Sequence, residues 1–273
     1  MNAVLKDGFY AQDLADAKAR YRARHALDVA PASGLVHIST SDTAARKPAV
    51  SPIPLDRRAG RQRRMHCSVV TSARLHDEAR SQWCGGFRTK WAFLTLTLRP
   101  GAKLEARSIT GLMKCIRSWM GRTIQWFVDA VGFRCTWVME LTKAGVPHYH
   151  ALVLLPTSHN LPKPDKQGWW KLGATKIETA RNAVGYIAKY ASKGTDGDFP
   201  KGMRTHGVCG LDTEQKRERR WWLSPKFFRD AFGPDADIRV VKGGRINRVT
   251  GEFLAGLWIV ICIGGSPHIV PRI

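Results

Sequence analysis

The sequence is poor in acidic residues. Its 273 residues include 22 Asp and Glu against 44 Lys and Arg, which gives a formal net charge of +22. The excess of basic residues runs along the whole chain and is not confined to one tail. A globular protein of this kind usually binds a polyanion, most often a nucleic acid. The charge therefore argues against an enzyme whose substrate is a small molecule.

The sequence also lacks a run of about 20 apolar residues, the length that a membrane-spanning helix requires. The nearest candidate, residues 254–263, is much shorter and predicts a buried strand. The N-terminus does not show the basic and then apolar arrangement of a signal peptide. We therefore expect a cytoplasmic protein that does not associate with membranes.

Two further absences narrow the class of protein. None of the six cysteines forms a Cys-x-x-Cys pair, which disfavours a zinc ribbon, and a chain of this length does not need a disulfide framework. No Gly-x-x-x-x-Gly-Lys-Ser/Thr run is present, so the sequence encodes no P-loop ATPase. Hydrophobic residues still make up 44% of the chain, enough for a substantial core.

The order of the predicted elements indicates the fold class. Apolar periodicity and turn residues predict strands at 91–98, 133–142 and 147–155 and helices at 107–130 and 176–193, the second helix ending at Gly194. This order is typical of an α+β domain with a central antiparallel β-sheet and flanking helices. After residue 235 we expect a β-hairpin that turns at Gly243-Gly244, followed by the apolar strand.

A basic segment precedes the first predicted strand. Residues 31–64 are rich in Pro, Ser, Ala and Arg, and five of the last eight residues are arginines. This composition predicts a flexible linker. Among its arginines, Arg61, Arg63 and Arg64 are candidates for contacts with DNA phosphates.

Two histidines and a glutamate flank a predicted turn. Because alternate side chains of a strand share a face, His148 and His150 point in the same direction. A turn centred on Ala144, with Gly145 supplying a positive φ, places Glu140 directly opposite His148. The three side chains then form an open site for a divalent metal ion, Mg²⁺ or Mn²⁺.

A second group of residues lies on the predicted helix 176–193. Tyr186 and Tyr190 are four residues apart and share a helix face, with Lys189 and Lys193 on neighbouring positions. A tyrosine hydroxyl is a weak nucleophile at neutral pH, and an adjacent ammonium group and a metal-bound phosphate activate it. The alternative is a pair of half-buried tyrosines flanked by solvated lysines.

These motifs occur in an order that is similar to that of one family. Residues 93–98 (FLTLTL) supply a first-strand motif, residues 147–150 (PHYH) a His-hydrophobe-His motif, and residues 186–190 (YIAKY) a Tyr-x-x-Lys-Tyr motif. In this order they resemble the HUH endonucleases, in the branch of rolling-circle replication initiators. The run 199–204 (FPKGMR) resembles initiators of filamentous phages and related plasmids.

The resemblance implies a metal-dependent, site-specific DNA endonuclease and strand transferase with a ferredoxin-like or RRM-like palm. It covers roughly residues 89–235, flanked by a basic extension at 1–88 and a C-terminal β-hairpin and strand at 236–273. A tyrosine nicks origin DNA, forms a 5′-phosphotyrosine and later rejoins the strand. The roles that follow are catalysis for Tyr186, Tyr190 and Lys189, metal binding for Glu140, His148 and His150, and DNA binding for Lys193, Arg204, Arg61, Arg63 and Arg64.

The implied partners are single-stranded or supercoiled origin DNA and, because the sequence has no P-loop, a host helicase in the bacterial cytoplasm. Two other functions stay open at this point. An HUH transposase shares the chemistry and differs in its DNA substrate. A non-catalytic basic DNA-binding protein predicts steep salt dependence and no covalent adduct.

Overall fold

The structure is a computed structural model that describes residues 51–82, 88–193 and 199–272. Residues 1–50 and 83–87 of the predicted extension 1–88, and the predicted helix end at Gly194, lie outside the described residues. The elements, in chain order, are β1 (Ile53–Pro54), α1 (Arg57–Gln82), β2 (Thr89–Leu96), α2 (Ser108–Thr123), α3 (Gln125–Val131), β3 (Cys135–Leu141), β4 (Pro147–Pro156), β5 (Thr175–Ala180), α4 (Ala183–Ser192), β6 (His206–Cys209), α5 (Thr213–Trp222), α6 (Lys226–Phe232), β7 (Ile238–Val241), β8 (Gly244–Asn247), β9 (Phe253–Ala255), β10 (Trp258–Ile263) and β11 (Ser266–Pro271).

A five-stranded sheet in the order β5-β2-β4-β3-β6 forms the centre of the fold, and every pair of neighbours in it is antiparallel. This confirms the predicted α+β class. All residues of β3 and nearly all of β4 are buried, because helices cover both faces of the sheet.

Helices α1 and α4 pack side by side on one face of the sheet. On α4 the buried residues Ile187 and Ala191 are spaced by four, so one stripe of the helix faces the core. Helix α2 covers the opposite face, where Met113 contacts Cys135 of β3 through their sulfur atoms at 3.2 Å.

Two predicted helices have different boundaries in the structure. The predicted helix 107–130 is divided into α2 and α3, because the backbone leaves the helical region at Ile124 (φ −138°, ψ 46°). The predicted helix 176–193 begins with strand β5, which pairs with β2, and only then continues as α4. The Asn182 side chain marks the true start of the helix by accepting a hydrogen bond from the backbone N–H of Gly185.

The prediction of a flexible linker is wrong for residues 57–64, because these residues form the first two turns of α1. The Asp56 carboxylate caps this helix by accepting hydrogen bonds from the next backbone N–H groups, those of Arg58 and Ala59, at 2.9 Å. The buried residues Met65 and Val69 hold its middle part against the core. Packing of one apolar stripe thus outweighs the basic composition of the rest of the helix.

The predicted hairpin is confirmed as strands β7 and β8, but its turn is Lys242-Gly243, because Gly244 already pairs with Val241 as the first residue of β8. The apolar run 254–263 is not the buried strand that we expected: within it Val260 is 58% exposed and Trp258 48%. The reason is that β10 belongs to a separate three-stranded sheet with β11 and β1, in which its side chains are exposed on both faces. None of the described helices is long and apolar enough to cross a membrane.

Candidate active site

The β3–β4 hairpin has the predicted register. Glu140 lies directly opposite His148, and Gly145 in the turn has a φ of 75°, which favours glycine. The backbone N–H of Thr142 closes the hairpin by donating to the carbonyl of Val146 at 3.0 Å. The turn therefore fixes which residues share the face of the sheet that α4 covers.

The buried Glu140 carboxylate has two partners. Its Oε2 atom lies 2.9 Å from Nε2 of His150, and its Oε1 atom accepts a hydrogen bond from the Lys193 ammonium at 2.6 Å. On the other side of the ring, Nδ1 of His150 lies 3.3 Å from the hydroxyl of Thr95 on β2. A neutral imidazole with its proton on Nε2 satisfies both contacts.

Burial favours the neutral form of both histidines, which is the form that binds metal. It lowers the pKa of His150 to about 4, against the opposing effect of Glu140. Burial also lowers the pKa of His148, again opposed by Glu140, while Lys193 lowers it further. Both rings are therefore uncharged at neutral pH.

The two tyrosines of α4 lie beside this group. The ring of Tyr190 stacks on His150 with a centroid distance of 3.7 Å. Phe93 of β2 contacts Tyr190 at 5.4 Å and Tyr186 edge-on at 5.5 Å, so one aromatic platform supports both rings. Tyr186 is 43% exposed, which leaves it accessible to a DNA strand.

The donor chemistry of Glu140, His148 and His150 suits a divalent ion, since two neutral imidazoles and a carboxylate come from facing strands. Within the described residues, however, no three His, Cys, Asp or Glu side chains converge closely enough to hold an ion. Both Glu140 oxygens are engaged, one by His150 and one by Lys193. Binding of an ion by this set thus requires Lys193 to move away and His150 to give up its Nε2 proton.

The basic residues singled out from the sequence occupy different places. Lys193 contacts Glu140 and the ring of Tyr190, with its Nζ atom 4.8 Å from the ring centroid. Lys189 is exposed, 6.0 Å from the same centroid. Arg204 is exposed and its backbone carbonyl accepts a hydrogen bond from the Tyr149 hydroxyl at 3.3 Å.

The three arginines Arg61, Arg63 and Arg64 lie exposed in the first turns of α1. Farther along this helix, His76 packs against Trp91 near the start of β2, the end of the sheet remote from Glu140. Because a helix rises about 1.5 Å per residue, the N-terminal turns lie about 20 Å from His76 along the helix axis. The arginines are therefore well separated, along the helix axis, from the contact between His76 and Trp91.

Sequence reasoning missed three contributions to this site. Phe93 and Thr95 were assigned only to a strand motif, although their alternation in β2 already placed them on one face. Lys193 was assigned to DNA, whereas in the structure its ammonium group pairs with Glu140. No local pattern links these two residues, because they lie 53 positions apart in the chain.

Comparison with known protein families supports the resemblance of the region around the candidate active site to replication proteins. Residues 91–195, from β2 to just beyond α4, match the model of a family of replication-associated proteins, that of the replication-associated protein ORF2. No curated protein and no solved structure matches the chain. The match confirms the resemblance to replication proteins and includes Glu140, both histidines and both tyrosines, whereas Arg204 and the arginines of α1 lie outside it.

Proposed function

We propose that this protein initiates rolling-circle replication by nicking and rejoining single-stranded origin DNA through a tyrosine of α4. The observation that carries the proposal is the position of Tyr190 and Tyr186 beside the Glu140–His150 pair, within the region matched by the replication-associated family. This favours replication over the HUH transposase alternative, whose chemistry would be the same.

In the proposed first step, a tyrosine Oη atom attacks the phosphorus of the scissile phosphodiester. The P–O3′ bond breaks, the tyrosine proton is lost to solvent, and the departing 3′ oxygen takes up a proton. The products are a 5′-phosphotyrosine and a free 3′-OH that primes synthesis. Attack by a 3′-OH on the phosphotyrosine reverses the step and rejoins the strand without ATP.

A bound Mg²⁺ or Mn²⁺ would supply Lewis-acid stabilisation of the charge that develops on the phosphate. Glu140, His148 and His150 would hold it. Lys193, once displaced from Glu140, would offer its positive charge to the same phosphate. Lys189, exposed on α4 between the two tyrosines, offers a further positive charge to the strand.

We propose that Tyr186 attacks first, because it is more exposed than Tyr190, whose ring is stacked on His150. Tyr190 is then available for the second cleavage, which releases a circle. The first cleavage by Tyr186 leaves the Tyr190 ring stacked on His150. Only the second cleavage requires the Tyr190 ring to move away from His150.

A covalent-capture assay tests the proposal. The full chain is incubated with Mn²⁺ and single-stranded origin DNA of its own replicon, and the products are separated on a denaturing gel. We expect an adduct that requires His148, is lost in the Tyr186→Phe/Tyr190→Phe variant, and falls far more in Tyr186→Phe than in Tyr190→Phe.

Tyr149→Phe is the matched control, because Tyr149 lies on the same strand as the histidines but faces the opposite side of the sheet. This variant should form the adduct at the wild-type level. Absence of any adduct with a DNA that binds would exclude the proposed chemistry and favour a non-catalytic DNA-binding protein.

A further inference from the structure

Two neighbouring cavities lie at the end of β6, on the part of the sheet remote from the tyrosines. The first has a volume of about 380 Å³ and apolar walls that include Met113, Phe133, Trp137 and Cys209. The second has a volume of about 280 Å³ and is lined by the basic side chains of Lys216, Arg219 and Arg220. Gly210 lines both cavities. We name the two cavities together the β6 cleft.

The β6 cleft is separate from the candidate active site. On β3, Cys135 pairs with Cys209 beside the cleft, whereas Glu140 lies five residues farther along the strand. At about 3.4 Å per residue this is about 17 Å. The apolar cavity also opens on the opposite face of the sheet, since its lining residue Met113 belongs to α2.

The lining of the cleft selects for an anion with a flat apolar part. Lys114 and Arg117 lie exposed on α2 at the margin of the apolar cavity, together with the Thr110 hydroxyl. Among the residues that line either cavity, none is acidic. A volume of about 380 Å³ lies in the range of small-ligand pockets, about 300–1,000 Å³. A nucleobase fits the apolar walls, and its phosphate suits the cations at the margin.

The basic cavity is held in place by neighbouring elements. Arg219 donates from Nε to the Ser72 hydroxyl of α1 at 2.8 Å and from Nη2 to the Ser68 hydroxyl. Arg220 donates to Asp237 at 2.5 Å. Arg219 is thus positioned by neutral partners before any ligand arrives, which lowers the entropy cost of binding an anion, whereas the charge of Arg220 is already paired with Asp237.

We propose that the β6 cleft binds one unpaired nucleotide, with the base in the apolar cavity, its phosphate at Lys114 and Arg117, and the adjoining phosphate in the basic cavity. In the context of the proposed function, the nucleotide belongs to the substrate strand. The cleft then provides a second point of attachment for the strand, away from the scissile bond.

Photocrosslinking tests this proposal. Single-stranded origin oligonucleotides carrying 5-iodouracil at successive positions are bound to the Tyr186→Phe/Tyr190→Phe variant, irradiated and digested, and the crosslinked peptides are sequenced. We expect crosslinks to Met113, Phe133 or Cys209 from one or two positions of the oligonucleotide. Crosslinks confined to the region of β2 and α4 would overturn the proposal.

Charge reversal provides the second measurement. The Lys114→Glu/Arg117→Glu variant should lose about tenfold or more of the crosslink in the cleft, because two charge-assisted contacts are removed. The matched control, Arg107→Glu/Arg122→Glu, changes the net charge equally at the two ends of the same helix but at positions outside the lining. An equal loss in both variants would mean that the cleft has no specific role.

Competition distinguishes the two sources of a nucleotide. A crosslink competed by unlabelled oligonucleotide but not by thymidine monophosphate identifies a DNA site, and one competed by both identifies a site for a free nucleotide as well. The two proposals can fail independently. If the proposed function is wrong, the wild-type chain forms no tyrosine adduct, but it can still give the crosslink in the cleft.

Discussion

At the scale of single residues, Glu140 is the centre of the candidate site. A buried carboxylate is tolerated only when it is paired, and here the partners are an imidazole and an ammonium group from different elements. The same two contacts keep the carboxylate from binding an ion until Lys193 leaves. Lys193 would therefore compete with any divalent ion for the Glu140 carboxylate.

This competition predicts opposite effects of two substitutions on Mn²⁺ affinity. Lys193→Ala should bind Mn²⁺ about threefold to tenfold more tightly, since it removes a positive charge next to the carboxylate. Glu140→Gln should bind it at least about tenfold more weakly, since the substitution removes an ionised ligand. Isothermal titration calorimetry of the full chain measures both.

The matched control for the Lys193 variant is Lys189→Ala, which removes the same charge from the exposed side of α4. It should change the Mn²⁺ affinity far less than Lys193→Ala does. If both lysine variants bound Mn²⁺ like the wild type, the direct competition inferred from the Lys193–Glu140 contact would be wrong.

His76 predicts a pH dependence of stability that is independent of the candidate site. Burial, together with the charge of Arg134, lowers its pKa from 6.5 to about 3. As the pH falls below about 6.5, the unfolded chain takes up a proton at this residue and the folded chain does not. The free energy of unfolding should therefore decrease toward pH 3, by at most about 1.4 kcal/mol per pH unit from His76.

Urea denaturation at several pH values between 7 and 4 measures this effect. His76→Asn keeps an acceptor for Arg134 and removes the titrating ring, so its stability should fall less steeply than that of the wild type. His159→Asn, in the loop after β4, is the control substitution. Parallel curves for wild type and His76→Asn would contradict the assignment.

Local patterns predicted residues that lie close in sequence. The register of Glu140 and His148 follows from one turn, and the shared face of Tyr186 and Tyr190 follows from helical spacing. The contact between Lys193 and Glu140 and the contact between Thr95 and His150 depend on how separate elements pack. No short-range pattern carries that information.

At the scale of elements, α1 shows how composition misleads. Its arginines suggested a flexible linker, yet Met65, Val69 and Ala73 recur at intervals of four and are buried. That spacing is the sequence pattern that indicates a helix here, and the prediction of a linker did not take it into account. Strand β5 was missed for a related reason, because its residues run directly into the periodic pattern of α4.

The packing of α1 predicts that Met65→Ala lowers the free energy of unfolding by about 2–5 kcal/mol, as a large-to-small core substitution does. Arg63→Ala, an exposed position two residues away, should change it by less than about 0.5 kcal/mol. Chemical denaturation of the full-length variants measures both. Equal and small effects would be expected of a flexible linker and would contradict the helix.

At the scale of the whole molecule, the net charge of +22 predicted a polyanion partner but not where it binds. Helix α1 carries Arg61, Arg63 and Arg64 exposed in its first turns, and the β6 cleft has basic side chains of its own.

This arrangement predicts a specific salt dependence of DNA binding. The Arg61→Ala/Arg63→Ala/Arg64→Ala variant should bind single-stranded DNA more weakly, and the slope of log K against log salt concentration should decrease in magnitude by about 0.7 for each phosphate that the variant no longer neutralises. Fluorescence anisotropy over a series of salt concentrations measures the slope.

The control variant Lys226→Ala/Lys242→Ala/Arg248→Ala removes the same charge from exposed positions in the C-terminal third of the chain. It should lower the affinity less and leave the slope nearly unchanged. If both variants reduced the slope equally, DNA would respond only to total charge, and the position of the α1 arginines would carry no information about the path of the strand.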